Sequence, residues 1–188
     1  MQSPSCASEI ALVPIGDVDR ELLDYLAFTL SDTFRTRCRE LPMKIEARQA
    51  YNHLRRQYHS TQLLRQLHDL REASCGKILG VTELDLFIPI FTFVFGEAQV
   101  GGSCALMSAH RLHQEFYGLP ANRELWLTRA EKEATHELGH AYGLTHCRSF
   151  DCVMRFSNSV ENVDARPSEF CNVCSASLLT RIDSTMAA

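Results

Sequence analysis

The sequence predicts an α/β (α+β) fold with a small, irregular C-terminal lobe. Three observations carry this. Short β-branched runs alternate with amphipathic helical segments over about the first 145 residues. Two adjacent runs in the middle, parted by Gly101-Gly102, have the pattern of a β-hairpin. After Leu144 periodicity fades until a short last helix around residues 168–182.

The elements follow in chain order. Ile10–Ile15 is an apolar run ahead of Gly16 and reads as the first strand. Residues 18–34 place Leu22, Leu23, Leu26, Leu30 and Phe34 on one helical face, with Asp17 as the expected N-cap. Met43–Ala47 reads as a short second strand. Residues 60–73 open on Ser60-Thr61 and repeat leucine at 63, 64, 67 and 70, which predicts a second amphipathic helix. Leu79–Ile90, Phe91–Val100 and Ser103–Leu112 read as three strands. Arg123–Tyr142 is a long helix that Gly143 ends.

Composition bounds the function. The chain has 188 residues and a mass of 21.3 kDa, the size of one domain or of two lobes sharing a core. A net charge of −4 argues against phosphate binding as the main role, so no nucleic-acid partner is expected. Arginines are dense from Arg35 to Arg71, and since that stretch also carries acids it reads as a solvated face. No apolar run approaches the roughly 20 residues of a membrane span, so no membrane partner is expected either. The start has no basic segment followed by a long apolar stretch, which predicts a cytoplasmic protein. In that reducing compartment its eight cysteines read as metal ligands or free thiols rather than disulfides.

The chemistry lies in His136-Glu137-Leu138-Gly139-His140-Ala141-Tyr142-Gly143-Leu144-Thr145-His146. Two histidines four apart on a helix project from one face, one turn apart, and can share a Zn²⁺ ion. Glu137 adjoins the first ligand and can reach a zinc-bound water without binding the metal. Gly143 stops the helix, and the turn delivers His146 as a third nitrogen ligand. Three protein ligands leave a position open, the arrangement of catalytic zinc. A bare HExxH arises in about 2–3% of shuffled chains of this composition; with Gly143 and His146 in place the figure falls to about 5 in 100,000. The four cysteines Cys147, Cys152, Cys171 and Cys174 form two close pairs, C-x4-C and C-x2-C. That spacing points to a structural zinc on four thiolates, with two disulfides as the alternative. Cys6, Cys38, Cys75 and Cys104 lack such partners and read as buried or free thiols. His53, His59, His68, His110 and His113 lack ligand spacing.

The motif HExxHxxGxxH with a downstream methionine resembles the metzincin metallopeptidases. Cys147 directly after the third histidine, then Cys152, Met154, Cys171 and Cys174, narrow the resemblance to the archaemetzincins. It covers residues 136–174. Sixteen residues separate Met154 from Cys171, about one fewer than the family's pattern, a change that an exposed loop absorbs. The resemblance implies a metzincin-like zinc peptidase fold, a mixed twisted sheet with packed helices. Residues 1–188 would form a single catalytic domain: a lobe 1–146 with the sheet and zinc helix, and a small lobe 147–188. The smaller lobe would carry the four-cysteine zinc site and a Met-turn that places Met154 below the catalytic zinc.

The expected function is a zinc-dependent metallopeptidase, with two zinc ions per chain and Glu137 activating a zinc-bound water. A monomer acting on a peptide or protein substrate is expected. The alternatives are a zinc-stabilised binding or regulatory protein with vestigial activity, and a hydrolase of non-peptide amides. An intact Glu137 favours the peptidase. No tyrosine stands two residues after Met154, where Phe156 does, so the second oxyanion donor stays open between Tyr142 and Asn158. Phe95–Val100 is the expected edge strand against which an extended substrate lies, with Gly101-Gly102 turning the chain out of the way.

Overall fold

The computed structural model describes residues 9–41, 45–69 and 76–186. Five strands form the main sheet: β1 (Ile10–Ile15), β2 (Cys38–Glu40), β5 (Lys77–Thr82), β7 (Gly96–Ala98) and β8 (Cys104–Ser108). Their order is β2-β1-β5-β8-β7. All neighbours run parallel except β7, which pairs antiparallel with β8 and forms one edge. A smaller sheet holds β3 (Tyr51–Asn52), β4 (Gln57–His59) and β6 (Leu86–Phe87). The helices are α1 (Arg20–Thr33), α2 (Ser60–Asp69), α3 (Arg123–Ala141), α4 (Val160–Ala165) and α5 (Asn172–Met186).

The period of two in each strand splits the core between the two faces of the main sheet. Ile10, Leu12, Leu79, Val81, Ala105 and Met107 pack with α1 and α3. Ala11, Val13, Ile15, Ile78, Cys104 and Leu106 pack with Leu63, Leu64 and Leu67 of α2. The sheet thus lies between helices, the arrangement its near-continuous apolar strands require.

Helix α3 is not amphipathic in the ordinary sense, because both its faces are covered. Ala130, Ala134, Leu138 and Ala141 belong to the core shared with α1 and the sheet. Arg129, Lys132, Glu133, His136 and Glu137 are also buried. Arg129 forks onto Asp164, and Lys132 donates to the carbonyls of Val163 and Asp164. The C-terminal residues therefore close the polar face of this helix with hydrogen bonds.

Several elements differ from the sequence expectation. The N-cap of α1 is Asp19, whose carboxylate accepts from Glu21 N–H at 2.8 Å, while Asp17 is exposed. Asp19 also pairs with Arg123 at the start of α3, which selects it over Asp17. Of the expected strand Met43–Ala47, Met43 and Lys44 lie outside the described residues and Ala47 opens a 3-10 turn. The second strand is Cys38–Glu40 instead, pairing with Ile10–Leu12. Leu79–Ile90 breaks after Thr82. Asp85 is held there by Arg111 and Gln57, and the chain crosses into the smaller sheet as β6. Phe91–Val100 is a strand only at Gly96–Ala98. Arg55 and Gln57 side chains take the Phe91 and Thr92 carbonyls that a ladder would use. Ser103–Leu112 is a strand only to Ser108, and His110–Leu112 is a 3-10 turn. The second helix ends at Asp69 as described, with Leu70 beyond the described residues. The last helix starts at Asn172 and is preceded by α4, which the sequence reading did not include.

Replacing Asp19 with Ala is expected to lower stability by about 1 kcal/mol or slightly more, since it removes a cap and an ion pair to α3. Asp17→Ala is expected to be neutral. Urea denaturation of the two variants decides between the two caps.

Candidate active site

Helix α3 starts at Asn122, whose side chain accepts from Leu125 N–H, and runs as one rod to Ala141. Its last turns carry His136, Glu137 and His140. Gly143, at φ +91°, then ends the helix and turns the chain back toward His146. The three imidazoles converge. Their ring centroids lie 4.7, 4.8 and 5.3 Å apart, and one nitrogen of each lies within 4.8 Å of the others.

The tautomers follow from the carbonyls behind the rings. His136 Nδ1 is 2.8 Å from the Val153 carbonyl, and His140 Nδ1 is 2.8 Å from the Leu144 carbonyl. A carbonyl only accepts, so we assign the protons to Nδ1 in both rings. Both Nε2 atoms are then bare lone pairs, and they face each other at 3.1 Å. Two lone pairs at that distance repel unless a cation stands between them. Nitrogens each about 2.0–2.1 Å from one zinc ion sit at such a separation, so the residues fit the metal. Burial, the Arg166 guanidinium and the neighbouring His140 hold the His136 pKa well down, which keeps the ring neutral for ligation.

Glu137 lies on the same wall. Burial first, then the neighbouring Glu133 carboxylate, push its pKa well above the ordinary carboxylate range, against an opposing pull from Arg166. Edge strand β7 confines this side chain. A Cβ on Gly96 would stand 2.5 Å from Glu137 Oε1, so only glycine lets the strand pass so close. Below the histidines, Met154 is fully buried against Gly139, where a Cβ would collide with the methionine sulfur. Helix and turn therefore touch at Gly139, between His136 and His140.

The four cysteines form the second cluster, with their sulfurs within 4.8 Å of one another. Cys147 Sγ and Cys171 Sγ are 3.9 Å apart. Four sulfurs about 2.3 Å from a central zinc ion would be about 3.8 Å apart, so this set also fits the metal. Backbone N–H groups of Ser149 and Cys171 donate to the Cys147 and Cys152 sulfurs. Backbone bonding brings Cys171 down to about 7, while burial pushes Cys152 and Cys174 up. Four thiols packed together cannot all ionise unless a cation joins them. The cluster is tied to the first site by chain connectivity and by Cys147 N–H donating to the Met154 carbonyl at 2.9 Å.

The structure thus brings His136, His140 and His146 together, and separately Cys147, Cys152, Cys171 and Cys174. The other sequence candidates fall elsewhere. Tyr142 is buried, stacked on Phe34 at 5.2 Å, and does not line the cleft, whereas Asn158 does. His110 packs on Phe116, and His113 stacks on Trp126. Cys38 is a half-buried thiol pushed up to about 12 by burial, and Cys104 is buried. Cys6 and Cys75 lie outside the described residues. Gly101, at φ +70°, and Gly102 make the turn between β7 and β8, and Gly101 N–H donates to the His140 carbonyl at 2.9 Å, docking the hairpin on the end of α3.

A cleft of about 660 Å³ runs over the histidines. One wall is apolar, built from Ile88, Phe91, Phe93, Phe95 and Phe156, with Phe156 edge-on to the His146 ring at 5.1 Å. Two lining residues escaped the sequence reading, Glu133 and Arg166. Glu133 sits one turn before Glu137, a spacing that marks the same helix face; nothing in the local sequence marks Arg166.

Comparison with known proteins agrees with this geometry. The model of Peptidase family M54 matches residues 15–180. The chain is 42% identical to archaemetzincin of Methanocaldococcus jannaschii over 172 residues, covering 92% of this chain and 93% of that one. It is 41% identical to archaemetzincin of Archaeoglobus fulgidus over 170 residues, covering 90% and 98%. The crystal structure of the A. fulgidus protein complexed with malonate superposes with a TM-score of 0.79 at 40% identity, covering 90% of this chain and 99% of that chain. The Methanopyrus kandleri archaemetzincin structure gives 0.81 at 31% identity, with coverages of 97% and 99%.

Elemental analysis is expected to find two zinc ions per chain. A mild chelator should strip the three-histidine site first, because four thiolates form a closed site and the open one exchanges. Cys171→Ser should lower the melting temperature more than His140→Ala. The cysteine cluster joins the irregular chain around 147–152 to the start of α5, whereas α3 is held by the sheet and α1. Equal or reversed losses would show that the cysteines are not a structural fastening.

Proposed function

The chain belongs to peptidase family M54, a zinc metallopeptidase acting on peptide or protein substrates, and from that premise we propose the roles of its residues. His136, His140 and His146 hold the catalytic zinc, and Glu137 is the general base. Cys147, Cys152, Cys171 and Cys174 hold a structural zinc. Residues 1–188 act as one catalytic domain, with the lobe from 147 onward presenting Met154. The observation that carries this reading is the convergence of the three imidazoles beside a buried carboxylate, Glu137, that lines the same cleft.

When bound, zinc supplies Lewis-acid polarisation of the scissile carbonyl and a lowered pKa for water. The Glu137 carboxylate takes a proton from the attacking water and returns it to the leaving amine. Its burial makes it a stronger base than an exposed glutamate. Gly96 leaves room for it beside the strand, where a Cβ would meet its carboxylate at 2.5 Å. The Nδ1 bonds to Val153 and Leu144 hold the ligand rings in the orientation that bares both Nε2 atoms.

Strand β7 is the substrate platform. Phe95, Glu97 and Gln99 face Ser108, Leu106 and Cys104, and the bonds Ser108 N–H to Phe95 O and Gln99 N–H to Cys104 O set the ladder's phase. Gly96 and Ala98 then direct N–H and C=O outward, along the cleft they line. An extended peptide added there runs past Glu137 and the histidines. The wall of Ile88, Phe91 and Phe93 favours substrate residues with apolar side chains. Four thiols kept for a metal suit the reducing cytoplasm, where we place the protein. No helix among the described residues is long and apolar enough to cross a membrane.

Glu137→Gln is expected to reduce peptide hydrolysis by about 10²–10⁴-fold while both zinc ions stay bound. Activity near the parent level would remove Glu137 as the base. Ala98→Pro deletes an outward donor and should raise KM with kcat and stability little changed. Gln99→Pro breaks the bond to the Cys104 carbonyl and should lower the melting temperature instead. If Ala98→Pro handles peptides like the parent, β7 is not the platform.

A further inference from the structure

Arg166 is a buried cation in the wall of the cleft, with a side chain 1% exposed, and the mechanism above does not use it. Its Nη2 donates to Glu133 Oε1 at 2.6 Å, and its Nη1 donates to the Arg155 carbonyl at 3.0 Å. That Nη1 also stands 3.1 Å from His136 Nδ1. Nε has no partner among the described residues.

This is not how arginine makes a simple ion pair here. Arg129 forks onto Asp164 with Nε and Nη2 at 2.7 Å each, and Arg111 forks onto Asp85 in the same way. Such forks use the two donors on one edge of the guanidinium. Arg166 leaves Nε unpaired in a buried place, a desolvation cost that the two forks avoid. What the group gains is reach: it bonds both α3, at Glu133, and the chain after Met154, at the Arg155 carbonyl, while it only lies against the His136 ring, whose Nδ1 proton is given to Val153 O. Val153 O and Arg155 O flank Met154, one taken by the His136 ring and the other by Arg166.

We propose that Arg166 is a positioning residue for the metal site. By holding the Arg155 carbonyl and Glu133 together, it clamps the Met154 turn onto α3 so that Val153 O stays aimed at His136 Nδ1. His136 Nε2 is thereby aimed at the point where the three imidazoles meet. This inference rests on the histidine cluster being the zinc site of the peptidase.

The test loads Co²⁺ into the histidine site of protein that keeps zinc on its cysteines, and reads the visible spectrum, metal affinity, melting temperature, kcat and KM. Arg166→Met alone strands Glu133 as a buried unpaired carboxylate and is expected to fold poorly. The double variant Glu133→Leu/Arg166→Met replaces the pair by apolar groups of similar size and is expected to fold. Arg166→Lys keeps the charge for Glu133, but one ammonium cannot reproduce the planar reach to Arg155 O. Both variants should shift the Co²⁺ spectrum and lose about 10–100-fold in metal affinity or kcat, with KM changed far less. A folded double variant with the parent's spectrum, affinity and kcat overturns the proposal. If the double variant does not fold, the same parental result for Arg166→Lys overturns it. Should the parent hydrolyse no peptide, the peptidase roles fail, while spectrum and affinity still decide the role of Arg166.

Discussion

Two bare imidazole nitrogens 3.1 Å apart are the constraint on which the rest of this structure depends. Without a cation between them they repel, so the surrounding protein must hold them in place. It does so from behind, with carbonyl acceptors that fix each ring through Nδ1. The Leu144 carbonyl comes from the turn at the end of α3 itself. The Val153 carbonyl comes from the chain beyond the third ligand. The first histidine is thus oriented by a segment that follows it by 17 residues.

That dependence explains why four cysteines gather in the segment after His146, whose Val153, Met154, Val163 and Leu178 share one core with α1 and α3. Cys147 follows His146, Cys152 precedes Val153 by one residue, and Cys147 N–H holds the Met154 carbonyl. A metal on these sulfurs would close the loop from which both His146 and the Val153 carbonyl arise. The chain after His146 meets α3 through the Arg129–Asp164 fork, the Lys132 bonds and the Arg166–Glu133 pair as well as through Met154 and Val163. Directional bonds specify one register between helix and turn, which apolar contact alone would leave looser.

The opposite side of the cleft is set by the sheet. Strand β7 lies at the edge, and Glu97 anchors it by accepting from Ser60 and Thr61 at the start of α2. Gly101 N–H ties the hairpin to the His140 carbonyl. The strand therefore has a fixed position relative to the histidines, close enough that Gly96 carries no side chain. Its outer edge and the Glu137 carboxylate border the same cleft because one glycine lets backbone and carboxylate meet.

Much of this was legible in the residues alone. Helical spacing placed His136, Glu137 and His140 on one face, Gly143 ended the helix, and cysteine spacing separated a thiolate set from an imidazole set. These are local rules, in which a few residues of sequence determine a few ångströms of space. The alternation of strands and helices likewise predicted the layered fold. The breaks in it came from distant side chains: Arg55, Gln57 and Arg111 capture Asp85 and the Phe91 and Thr92 carbonyls, and Arg123 selects Asp19 as the cap. The same holds at the site. Tyr142 left the list of oxyanion donors because Phe34, more than 100 residues away, stacks on its ring. Gly96 beside Glu137 and Arg166 beside His136 join residues 41 and 30 positions apart, and no periodicity links them. The sequence determined which atoms can bind metal and move a proton. Only tertiary structure decided what holds those atoms in place, because long-range contacts depend on how the whole chain packs.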